Sequence, residues 1–307
     1  KYKTNSSQAP SFVKEQSAEY SLFSLPGIEP SANISKLQQQ IAVRNIRSHK
    51  QHYDSALDLF KWIDEWDFKT YQTKTYTHGF HTYPAMFIPQ VARKLIQVFS
   101  HEDETVCDIF CGSGTTLVES SLLNRNSIGI ELNPLAVLIA KVKTTPIDPK
   151  TLTNSLQAIL TDYKNVKNVS HPKFTNVDFW FSETVIKDLA RLKQAIQNIS
   201  EENIRNFFSV CFSAVVRIVS FTRHKEFKLF RDKSKLEKSF HPNVINEFMK
   251  MCENNILSMK EYVYDVTPNA NAKIILGDST KDNGIPANSV DFIITSPPYG
   301  DSRTTVA

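Results

Sequence analysis

Short apolar runs alternate with amphipathic stretches in the middle of the chain. Residues 105–110 (TVCDIF) read as a buried strand, and the glycine-bearing CGSGTT after them leads into LVESSLLNR, whose apolar residues recur at helical spacing. A second strand over residues 127–131 ends before Asn133-Pro134, and residues 135–142 are again helical. This βαβα order predicts an α/β fold with a parallel sheet and crossover helices. From residue 146 to about 268 the periodicity becomes helical, with long segments over 186–199, 204–219 and 244–264, and predicts a helical insertion. Strand character returns at 273–276 and at 290–295, the second run leading directly into SPPYG.

Upstream the pattern is weaker. Residues 1 to about 35 are rich in Ser, Pro, Asn and Gln and read as an arm, while Leu37, Ile41, Val43, Ile46, Leu57, Phe60 and Ile63 predict one or two helices up to about residue 66. Residues 77–89 (THGFHTYPAMFIP) read as a loop punctuated by Gly79, Pro84 and Pro89, followed by an amphipathic helix over 90–99. Four parts result: 1–70, 71–145, 146–270 and 271–307.

Composition narrows the class. In 307 residues, 41% hydrophobic and 22% charged, no apolar run approaches the ~18 residues of a membrane span, so a globular cytoplasmic protein is expected. Cys107, Cys111, Cys211 and Cys252 form no CxxC pair and have no histidine at zinc-ligand spacing, so neither a metal site nor a disulfide framework is expected. A net charge of +4, from 36 basic and 32 acidic residues, is compatible with a polyanionic partner without demanding one.

The candidate chemistry lies at the strand ends. Asp108, Phe110, Gly112, Ser113, Gly114 and Thr115 belong to a strand-to-helix turn in which backbone amides can approach a ligand closely. The GxG spacing lacks the third glycine of the dinucleotide fingerprint and the Gly-Lys-Ser/Thr ending of a P-loop, so NAD and ATP fit poorly. Glu131 closes the next strand about 20 residues on, where an acid conventionally takes ribose hydroxyls. Asp278, after the strand KIILG, is placed either to accept a bond from an adenine amino group or to cap a turn with Ser279.

Ser296, Pro297, Pro298 and Tyr299 follow the apolar DFIIT. Two prolines fix φ and remove two N–H donors, so this loop offers acceptors, the Ser296 hydroxyl and a proline carbonyl, beside the flat face of Tyr299. An aromatic amine is a weak nucleophile because its lone pair is delocalised into the ring. Accepting its hydrogens turns that lone pair outward, and positioning for in-line transfer supplies much of the remaining rate. A base inside a duplex cannot reach such a loop, so base flipping is implied.

DIFCGSGTT, GIELNP, ILGDS and TSPPYG, in this order, resemble the motifs of bacterial amino-group DNA methyltransferases, the N4-cytosine and N6-adenine enzymes of restriction-modification systems. HGFHTYPAMFIPQ also resembles the N-terminal cofactor motif of that family. The resemblance covers about 75–145 and 272–307. It implies a Rossmann-like S-adenosylmethionine-dependent sheet, with 71–145 as its cofactor-binding part and 271–307 as its remainder with the catalytic loop. Within it, Phe80 and Pro84 would flank the cofactor, Asp108, Gly112 and Gly114 face its methionine, Glu131 its ribose and Asp278 its adenine, while Ser296 to Tyr299 meet the target amine. Cys111 departs from the residues common before the first glycine. Serine at the head of the tetrapeptide favours cytosine N4. Adenine N6 is the alternative, and a catalytically silent DNA-binding or regulatory subunit is another.

The family's sheet runs 3-2-1-4-5-7-6, of which this sequence supplies strands 1 to 4. VDFIIT lacks the charges or proline that protect an edge strand, so further chain or a second subunit is expected to complete the sheet, and the chain alone to bind cofactor weakly. A cognate restriction endonuclease is a further expected partner. Double-stranded DNA is the expected substrate, and residues 222–231, with Arg223, Lys225, Lys228 and Arg231 among aromatic residues, are the candidate contact. Reversing the charge of Arg223 and Lys228 should weaken DNA binding and flatten its dependence on salt; unchanged affinity in a salt titration would move the interface elsewhere.

Overall fold

β1 (Thr105–Asp108) pairs in parallel with β2 (Asn126–Glu131) on one side and with β4 (Phe292–Ile293) on the other, and β3 (Ala272–Leu276) pairs in parallel with β2. The strand order among the described residues is therefore β3-β2-β1-β4. The computed structural model describes residue 68 and residues 71–297 apart from 85, 168, 171, 173, 224–228 and 237–239; the helices expected before residue 66 lie outside them. β4 is shorter than the apolar run 290–295. Its ladder nevertheless continues through Asp291 N to Thr105 O and Ile294 N to Cys107 O, both at 3.0 Å.

The helices start where their first residues satisfy free amides. α1 (Pro89–Phe99), α3 (Pro134–Thr144) and α4 (Pro149–Asn165) open on proline, which gives up an N–H that would have no helical partner. α2 (Thr115–Leu122) follows Gly114, whose φ of 86° turns the chain out of the loop. Asn133 accepts from Leu135 N at 2.9 Å to cap α3, and Asp148 accepts from Thr151 N at 2.9 Å to cap α4. α5 (Val177–Trp180), α6 (Glu183–Gln197), α7 (Glu202–Ile218) and α8 (Val244–Asp265) complete the set among the described residues. Asn243 caps α8 by accepting from Asn246 N at 3.0 Å.

α1 lays Ala92 and Ile96 against Val106 and Ile294, a small core next to β1 and β4. The larger core joins the sheet's own helices to those of the central insertion: Val118 of α2 and Ile139 and Val142 of α3 pack in one cluster with Phe207 and Phe208 of α7 and Phe248 and Tyr262 of α8. Buried positions on α8, Val244, Phe248, Cys252, Asn255, Met259 and Tyr262, recur every three or four residues, as one helix face requires. The described residues of the segment 221–232 are not helical. Thr222 and Arg231 form an antiparallel bridge, flanked by Arg223 N to Phe230 O at 3.0 Å and Asp232 N to Phe221 O at 2.7 Å. Among the described residues no helix is long and apolar enough to cross a membrane.

The rings of Phe207 and Phe80 meet edge-to-face with centroids 5.6 Å apart, and Phe207 meets Phe208 at 5.2 Å. Phe207→Ala should therefore lower the unfolding free energy by about 3–5 kcal/mol. Urea denaturation measures it, and a loss below about 1 kcal/mol would contradict a core shared by the sheet's helices and the insertion.

Candidate cofactor and catalytic site

The parallel register gathers the candidate residues along one edge of the sheet. Glu131 ends β2 opposite Leu276 at the end of β3, and Gly277 N donates to Glu131 O at 3.0 Å, so Asp278 follows immediately beside it. The glycine loop leaves the neighbouring end of β1, and Ser296 lies three residues beyond the end of β4. In open α/β sheets this carboxyl edge is where ligands bind.

Gly112 and Gly114 both have positive φ, 51° and 86°, which L side chains rarely adopt. At Gly114 a Cβ would also lie 2.8 Å from the Ala140 Cβ, so glycine lets the loop press against α3. Thr115 begins α2 and is buried. Phe110 stands 39% exposed at the loop. Cys111 is enclosed beneath it, where burial pushes the thiol's pKa up, so the thiol stays protonated and packs as an apolar residue.

The Glu131 carboxylate is held at both oxygens: Gly112 N donates to Oε2 at 2.9 Å and Asn133 N to Oε1 at 2.8 Å. Leu132, next in the chain, is 64% exposed and adds an apolar surface that the sequence reading did not single out. Asp278 is exposed and accepts from Thr280, through N at 2.9 Å and Oγ1 at 2.7 Å, both on Oδ1. It is thus a turn cap, paired with Thr280 rather than Ser279, and these bonds hold its pKa below the usual carboxylate value.

Asp108 is almost wholly buried. Its Oδ2 accepts from Thr116 Oγ1 at 2.6 Å, and its Oδ1 from Phe110 N at 3.1 Å and Thr295 Oγ1 at 2.8 Å. Burial raises its pKa against the opposing pull of these three donors. This carboxylate joins the glycine loop, α2 and the residue before Ser296. Ser296 is half-buried and Pro297 exposed, while Pro298 and Tyr299 lie outside the described residues.

The loop 76–84 differs from expectation in which aromatic faces the site. Phe80 is fully buried in the core against Phe207, and Pro84 is half-buried. Tyr83 instead approaches the glycine loop, its Cε1 3.8 Å from the position of a Cβ on Gly112, and its hydroxyl accepts from Asn133 Nδ2 at 3.3 Å. The loop is tied down by His78, whose Nε2 lies 2.8 Å from Glu119 Oε1, while Arg93 Nε donates to Glu119 Oε2 at 2.6 Å. Asn255 Nδ2 donates to Phe80 O at 3.2 Å from α8.

Ser113 faces inward, and its Oγ accepts from Lys143 Nζ at 3.3 Å. Lys143 is fully enclosed, and burial alone pushes its pKa down to about 7. Among the described residues no group of His, Cys, Asp or Glu is arranged to hold a metal ion.

Of the basic candidates, Arg223 is exposed, and Lys225 and Lys228 lie outside the described residues. Arg231 is half-buried, its guanidinium 4.3 Å from the Phe179 ring centre and 5.3 Å from that of Phe221. Lys235 Nζ donates to Ser220 O at 3.0 Å and Thr222 O at 2.8 Å, which fixes the base of this segment.

The sheet order and the glycine loop after β1 are those of the Rossmann-like fold of S-adenosylmethionine-dependent methyltransferases, and residues 4–142 match the N6/N4 family described as DNA methylase. The chain is similar to amino-group methyltransferases of restriction-modification systems. M.MvaI of Kocuria varians, a type II methyltransferase, is 37% identical over 257 residues, which are 76% of this chain and 56% of that protein. M.BsoBI of Geobacillus stearothermophilus is 23% identical over 72% of this chain and 49% of its own length, and M.MjaII of Methanocaldococcus jannaschii 34% over 41% and 22%. The chain thus spans about half the length of M.MvaI and M.BsoBI.

Lys143 has a folded-state pKa of about 7 against an ordinary 10.5, so between these values the unfolded chain carries a proton that the folded chain lacks. Stability then rises with pH across that window. Urea midpoints should increase from pH 7 to 9, and Lys143→Met should remove most of the increase; a wild-type slope in the variant would place the amine in water.

Proposed function

We propose that this chain carries the cofactor pocket and catalytic loop of an S-adenosylmethionine-dependent DNA methyltransferase acting on the exocyclic amine of a flipped base, cytosine N4. The observation that supports it most is the Asp108 carboxylate, which bonds at once to the loop of a nucleoside-type pocket and to Thr295, the neighbour of Ser296.

The residues at the sheet edge fit the cofactor chemically. Glu131 is an acid oriented by two amides, suited to ribose hydroxyls; Gly112 and Gly114 admit close approach; Phe110 and Leu132 give exposed apolar surface for a purine. S-adenosylmethionine supplies, when bound, a methyl group made electrophilic by its sulfonium. The chain's part is to hold and orient. Ser296 accepts a hydrogen of the target amine, which turns the nitrogen's lone pair out of the ring, and the Asp108–Thr295 bond fixes the height of that hydroxyl above the sheet. Double-stranded DNA is the substrate, with the segment around Arg223 beside it. Ile293, 59% exposed on β4, offers an apolar edge for the further strands of a complete enzyme.

In the complete protein Ser296→Ala should reduce methyl transfer by roughly 100-fold or more and leave cofactor binding unchanged. Transfer of a labelled methyl group measures the first and calorimetry the second, and normal transfer by the variant would remove the loop from catalysis. Mass spectrometry of nucleosides from the treated DNA should give N4-methylcytosine; N6-methyladenine would overturn the base assignment.

A further inference from the structure

Lys143 sits on the buried face of α3, in line with Ala136 and Ala140, and its ammonium emerges behind the glycine loop. Ser113, which accepts from it, lies between the two glycines of positive φ. The charged and titratable groups of this neighbourhood come from several elements. His78 and His81 come from the preceding loop, Arg93 from α1, Glu119 from α2 and Arg217 from α7; Lys143 acts electrostatically on both histidines. Glu119 is the acid of this neighbourhood, and its two oxygens already hold His78 and Arg93. His81 Nε2 lies 3.2 Å from Ser213 Oγ. No carboxylate among the described residues bonds to Lys143, although an enclosed cation is costly unless an anion compensates it.

We propose that Lys143, acting through Ser113, is the counter-charge for the α-carboxylate of the methyl donor's methionyl tail: the glycine loop receives the carboxylate and the ammonium neutralises it from behind. This rests on reading the loop as the S-adenosylmethionine pocket. It makes Lys143 a positioning residue that never touches the reacting atoms. It also explains why a cation is kept where an alanine or leucine would complete the apolar face of α3. The low dielectric around the amine strengthens its attraction for an anion one hydroxyl away.

The test compares S-adenosylmethionine with its decarboxylated form, which differs only by the carboxylate, in calorimetric titrations of the complete protein at pH 8. Burial leaves the free amine largely unprotonated there, with both histidines held below their ordinary pKa by desolvation and therefore neutral. Binding of the carboxylate should draw in about one proton, seen as a heat that varies with the buffer's ionisation enthalpy, and the decarboxylated ligand should draw in almost none. Lys143→Met should weaken S-adenosylmethionine by roughly tenfold or more, abolish the proton uptake and leave the decarboxylated ligand's affinity unchanged. Equal uptake for both ligands in the wild type, which needs no variant, would overturn the proposal. So would equal weakening of both ligands by the variant, which marks a purely structural lysine. If the wild type binds neither ligand, the cofactor reading itself fails and this inference falls with it.

Discussion

The fold turns on a single buried carboxylate. Asp108 ends the central strand of the sheet, and its three donors come from the loop that follows, the first turn of α2 and the segment leaving β4. Hydrogen bonds to a charged group contribute about 1.5–3 kcal/mol each, and removing one partner here would leave the buried charge undercompensated. Two stretches nearly 190 residues apart in sequence thereby become one surface. β4 could not do this by pairing alone, since its strand proper is two residues long.

A second layer of restraint reaches the site from the helices. Glu119 on α2 grips the 76–84 loop through His78 and α1 through Arg93, and Asn255 on α8 holds the carbonyl of Phe80. The central helices are therefore more than an appendage: they share a core with α2 and α3 and fix the loop that carries Tyr83 to the glycines. Buried charge is concentrated at these joints. Removing one member would expose its partner to an apolar interior, a larger penalty than the bond itself contributes.

The βαβα order, the glycine turn and Glu131 were legible in the sequence because each depends on local pattern, strand period, turn residues and an acid at a strand end. The choice between Phe80 and Tyr83 was not. Both lie in one aromatic loop, and only the packing of Phe80 on Phe207 decides which ring turns inward. Lys143 left a faint signal, since residues 136, 140 and 143 fall on one helical stripe and its lysine breaks that stripe. At Arg231 the sequence shows only the charge. Charge marked it for phosphate, yet a cation beside two aromatic rings is already occupied in part by the protein, an outcome that composition does not reveal. The register of β2 against β3 likewise needed the structure: the resemblance implied their adjacency, but 140 residues separate them and nothing local sets their alignment.

The arrangement of acids at the strand ends has a consequence for traffic through the pocket. Glu131 and Asp278 stand at neighbouring strand ends of a chain whose net charge is +4, so the mouth of the site is locally negative on a positive body. Such a mouth draws in a ligand that carries a cationic centre and grips it less once that centre has become neutral. On the proposed reading, the field that speeds arrival of a sulfonium holds the thioether left behind less tightly, which gives the exchange of cofactor for product a direction.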